Sequence, residues 1–69
     1  MKEYIVTALD SEGFEITSSI EMTIRTAKER ACYFVSEDYA RLSGITDIHK
    51  AEICLHVSAE CLWDIFRKV

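Results

Sequence analysis

The chain has 69 residues, a net charge of −4 and 49% hydrophobic residues, with no proline and only two glycines. A chain of this length builds one modest core, and its apolar content excludes a disordered chain. The negative balance argues against long-range attraction to nucleic acid or to an anionic membrane, and no stretch approaches the roughly 20 apolar residues that cross a bilayer.

Residues 1–69 therefore read as a single small domain. Three cysteines are an odd number, and Met1-Lys2-Glu3 runs into a short alternating strand and not into an apolar leader. The expectation is a reduced, cytoplasmic protein with free thiols.

Residues 2–9, KEYIVTAL, are rich in β-branched and aromatic side chains and predict a strand. Tyr4, Val6 and Ala8 share one face; Ile5, Thr7 and Leu9 share the other. Both faces are partly apolar, which suits a central strand. Asp10-Ser11-Glu12-Gly13 carries turn chemistry, with Gly13 supplying a positive φ. Phe14, Ile16, Ser18 and Ile20 then alternate with Glu15, Thr17, Ser19 and Glu21, which predicts a second strand with one wet face.

Thr23 to Gly44 is the stretch with helical spacing. Ala27, Ala31, Phe34, Val35 and Leu42 form one apolar stripe. Thr26 and Glu29 have capping-box spacing, and Thr23 is a cap one turn earlier. Gly44 is a natural stop. Ser36-Glu37-Asp38 is also how a helix begins, so the stretch is either one helix kinked near Ser36 or two helices meeting there.

Lys50 to Val57 alternates again, with Ala51, Ile53, Leu55 and Val57 on one side and Glu52, Cys54 and His56 on the other. Ser58-Ala59-Glu60 is a reversal without the usual Gly or Asn. Cys61 to Val69 is a last strand, with Cys61, Trp63 and Ile65 facing one way and Leu62, Asp64 and Phe66 the other.

The expected fold is α+β, of ββαββ order: a four-stranded, mostly antiparallel sheet with one helix packed on one face. Strand order 2-1-3-4 places the doubly apolar first strand in the middle; order 1-2-3-4 and a dimer-completed sheet are the alternatives. The helix-side core joins Val6, Ala8, Phe14, Ile16, Ile20 and Ile53 with Leu55, Val57, Trp63 and Ile65.

The opposite face then carries Ile5, Leu9, Leu62 and Phe66 together with Cys54 and His56. Contiguous apolar surface of this kind marks interaction sites, although lone exposed apolar residues are ordinary. The expected function is a non-enzymatic interaction module that docks a protein partner or a second copy of itself through this face.

Two alternatives belong to other classes. Arg25, Lys28 and Arg30 form a small basic cluster for nucleic acid, and twelve acidic residues suit an inhibitor-type protein of bacterial or phage origin. His49, Cys54, His56 and Cys61 have the residue types of a zinc site. Cys54 and His56 share a strand face, but alternation turns His49 away from His56, the expected register puts Cys61 on the other face and no C-x2-C knuckle is present, so no metal is assigned. Without a glycine-rich loop, a nucleophile elbow or a calcium loop, no catalytic residue, cofactor or small-molecule substrate is assigned either.

Overall fold

The computed structural model describes residues 2–68. Six elements follow in order: β1 (Tyr4–Asp10), β2 (Glu15–Glu21), α1 (Ile24–Phe34), α2 (Glu37–Ser43), β3 (Ile48–Leu55) and β4 (Cys61–Phe66). The strands form one antiparallel sheet in the order β2-β1-β3-β4, as the sequence predicts. β1 lies inside the sheet because both of its faces bear apolar side chains.

The helical layer differs from the expectation of one helix: it consists of two. Ser36 is the reason. Its backbone is extended, its hydroxyl donates to the Tyr33 carbonyl at 2.6 Å, and its Oγ accepts from the Tyr39 N–H at 3.2 Å. The same side chain thus closes α1 and opens α2. Glu37 and Asp38 occupy the first turn of α2, where the helix dipole favours negative charge. Tyr39 braces the corner edge-on against both Tyr33 and Phe34, with ring centroids 5.2 Å apart in each pair.

Thr23 caps α1, accepting from the Thr26 N–H at 3.1 Å. Gly44 ends α2 in the left-handed conformation at φ 78°.

The core is small. Val6, Ala8, Ala27, Ala31, Phe34, Ile48, Ala51 and Ile53 are its buried members. Four of these eight are alanines, which let α1 sit close to β1 and β3 at the cost of little apolar area removed from water. Tyr4, Ile16, Val35, Tyr39, Ile45, Trp63 and Ile65 pack partly buried around it.

Five residues expected in the core lie outside it, Leu55 among them, half-buried at the end of β3. Phe14, Ile20, Leu42 and Val57 are all well exposed. A break in register on β2 accounts for Ile20. Ala8 pairs with Thr17 and Leu9 with Glu15, so Ile16 is an extra, bulged residue. Ile16 still reaches the core, but beyond it the alternation is inverted. Thr17 and Ser19 stand opposite Ala8 and Val6 on the helix side, while Ile20 stands opposite Ile5 on the open side. Ser19 Oγ is consequently buried with no hydrogen-bond partner among the described residues.

Phe14 lies in the first hairpin loop, where its N–H and that of Glu12 both donate to the Asp10 carboxylate at 2.9 Å. Val57 lies beyond the end of β3, in the second hairpin loop, so strand alternation no longer applies to it. Leu42 projects from α2, whose direction changed at Ser36.

In that second loop Ala59 adopts φ 56° while its N–H donates to the Leu55 carbonyl at 2.8 Å. A left-handed alanine carries strain of roughly 1–2 kcal/mol that glycine does not. Ala59→Gly is therefore expected to raise stability by up to about 1 kcal/mol after the added chain entropy of glycine is deducted. Urea unfolding of the two proteins measures this.

Candidate functional site on the open face of the sheet

Both helices pack on one side of the sheet, and the register fixes what the other side presents. Three cross-strand rows result. The first contains Ile20, Ile5, Cys54 and Cys61. The second contains Ser18, Thr7, Glu52 and Asp64. The third contains Glu15, Leu9, Lys50 and Phe66. A polar row thus runs between two rows with apolar members.

Ile5, Leu9 and Cys54 are half-buried in this face, whereas Leu62 and Phe66 are exposed at 42% and 52%. Leu62, preceding the helix-side Trp63, projects to the open side. His56 lies just past the end of β3, where its Nδ1 is 2.9 Å from Glu3 Oε1 and its N–H donates to the Glu3 carbonyl. Ile20, 58% exposed, joins this face and is absent from the sequence-based site. Only the β2 bulge puts it there, and alternation alone gives no sign of the bulge.

The polar members are internally paired. Lys50 Nζ is 2.9 Å from Glu52 Oε1 and 3.9 Å from Asp64 Oδ2, and it sits 5.4 Å from the centroid of Phe66. Glu52, first, and Asp64, less, raise the Lys50 pKa against the opposing effect of burial. His49 stacks edge-on against Phe66 at 5.3 Å.

The two thiols of the first row lie closer than alternation implies. A slip between Ile53 and Cys54 makes Cys61 the partner of Cys54, so Cys61 leaves the face of Trp63 and joins the open side. The two sulfurs and a Glu52 carboxylate oxygen lie within 4.8 Å of one another. Cys61 Sγ is 3.9 Å from Glu52 Oε2. Burial, then the Cys61 thiol, then Glu52 push the Cys54 thiol up to about 11. A thiol so placed is protonated at neutral pH and is a poor nucleophile. Neither histidine is grouped with these two cysteines.

The basic residues do not converge. Lys28 lies over Trp63 on β4 at 5.4 Å, while Arg30 reaches Glu21 on β2 at 3.5 Å and covers Tyr33 at 5.8 Å. They straddle opposite flanks of α1, with Arg25 exposed at its N-terminal end. A phosphate backbone needs several cations along one track.

Surface depressions are open ones among the described residues. One runs along Glu21, Thr26, Glu29, Arg30 and Tyr33; another lies between the start of β3 and the C-terminal residues, beside Asp47, His49, Arg67 and Lys68. Arg67, on the wall of the second, donates to the Thr46 carbonyl at 2.6 Å. Among the described residues, no helix is long and apolar enough to cross a membrane.

Comparison with known proteins adds no family to this geometry: no family model, no curated protein and no solved structure matches the chain.

Proposed function

We propose that this domain is a non-enzymatic interaction module that docks a second copy of itself through the open face of the sheet. The observation that carries the reading is the set of exposed apolar side chains, Ile20, Leu62 and Phe66, on the one sheet face that neither helix covers. They flank Ile5 and Leu9, so a docked surface would cover apolar side chains on both sides of the polar row that holds Glu52 and Asp64.

A second copy is the favoured occupant because the core is so limited. With four alanines among eight buried residues, the chain removes little apolar surface from water, and small domains commonly add burial by association. Lys50 sits between Glu52 and Asp64 on this face and offsets part of their negative charge. Three free thiols fit a reducing compartment, and we place the module in the cytoplasm on that ground.

Sedimentation equilibrium over a wide concentration range tests the proposal. A concentration-dependent dimer supports it. A monomer at the highest concentration contradicts it.

A further inference from the structure

We propose that Cys54, Cys61 and Glu52 form a three-ligand site for a thiophilic divalent cation of the zinc class, with the fourth position open on the exposed side of the sheet. The inference does not depend on self-docking, since all three ligands belong to one chain.

The site follows from strand geometry. Glu52 and Cys54 are two residues apart on β3 and therefore share a face. The slip in the β3–β4 ladder makes Cys61 the partner of Cys54 and turns it to that face. The ligands thus come from one short hairpin whose ends are tied by the Leu55 N–H to Glu60 carbonyl bond at 3.0 Å. Little chain entropy remains to be lost when a cation gathers them.

The distances fit. Zinc binds thiolate sulfur at about 2.3 Å and carboxylate oxygen at about 2.0–2.2 Å in tetrahedral geometry, which separates ligand atoms by about 3.5–3.8 Å. The three donor atoms already lie within 4.8 Å, and the Cys61–Glu52 pair stands at 3.9 Å. Small side-chain rotations close the remainder.

Lys50 plays a positioning part. Its ammonium holds Glu52 Oε1 at 2.9 Å, while Oε2 is the oxygen near Cys61. The carboxylate is thereby oriented with one oxygen toward the sulfurs, as groups beyond the ligands do at metal centres. Two sulfur donors select zinc-like cations over magnesium or calcium, which take oxygen ligands. The exposure of Cys61 leaves an entry path. Cys32, exposed on α1, is outside the cluster and serves as an internal control.

The test uses the full chain, reduced and stripped of metal, titrated with Co2+ and followed by absorption. The expected result is one Co2+ per chain with a thiolate-to-metal charge-transfer band, displaced by Zn2+. Cys54→Ser and Cys61→Ser should each abolish the band, and Cys32→Ser should leave it unchanged. Glu52→Gln should keep a thiolate band but weaken binding about tenfold or more, and Lys50→Ala should weaken it on the order of tenfold. Circular dichroism on each variant confirms that the fold is retained. Binding that disappears in Cys32→Ser, binding that survives in both Cys54→Ser and Cys61→Ser, or no Co2+ band in the reduced wild type would each overturn the proposal. So would a Cys54–Cys61 disulfide that, once reduced, yields no Co2+ site.

Discussion

Ile53→Ala is expected to lower the stability of the domain by about 2–5 kcal/mol at 25 °C. Ile53 and Val6 are the largest side chains that are fully buried, and Ile53 stands between β1 and β4 under α1. Truncating a buried isoleucine to alanine costs about 2–5 kcal/mol through lost transfer energy and the cavity left behind. A chain of this length has a total stability of about 3–10 kcal/mol. The substitution therefore removes a large share of what there is. The alanine-rich surroundings worsen the outcome, because Ala27, Ala31 and Ala51 have no side-chain reach with which to fill the space. Val57→Ala is the matched control. Val57 is 99% exposed, so its truncation should change stability by no more than about 0.5 kcal/mol. Urea unfolding monitored by circular dichroism measures both.

Ile20→Glu is expected to do the reverse: to leave the fold intact and weaken self-association by at least about a hundredfold, since burying an unpaired carboxylate costs several kcal/mol. The side chain is 58% exposed and touches the edge of the open face, so the isolated domain has little to lose. In a docked pair the new carboxylate would be shut into the apolar row beside Ile5. Leu62→Glu, next to Cys61 at the other side of the sheet, should act in the same way. Sedimentation of each variant beside wild type, with unfolding curves on the same samples, separates loss of association from loss of fold. A variant that stays folded and still associates as wild type does would remove these residues from the interface.

The strand order, the hairpins and the helical segment were legible in the sequence because each rests on a local signal. Alternation marked the strands, Gly13 and Gly44 marked the stops, and the doubly apolar pattern of KEYIVTAL identified the inner strand. The division of the helix was only half legible: a Ser followed by two acids marked the place, but the expected fold kept one helix there, kinked, where the structure has two. What the sequence did not show were the register breaks, two of which change what the open face presents. At Ile16 an extra residue inverts every later side chain of β2, which carries Ile20 to the open face and Ser19 under α1. At Cys61 the slip brings a second thiol beside Cys54. Neither break has a glycine or proline to announce it, because both are set by how neighbouring strands fit and not by the residues at the break. The basic cluster failed for a similar reason. Arg25, Lys28 and Arg30 are close in sequence, but helical rotation distributes Lys28 and Arg30 to opposite flanks.

The most direct test of the central claim is a dilution series read by methyl NMR on the folded wild-type domain. Docking through the open face predicts that the methyl signals of Ile5, Ile20 and Leu62 shift with concentration. Those of Leu42 and Val57, which are at least as exposed but lie on α2 and in the second hairpin loop, should stay still. Shifts confined to Leu42 and Val57, or no concentration dependence anywhere, would contradict the account.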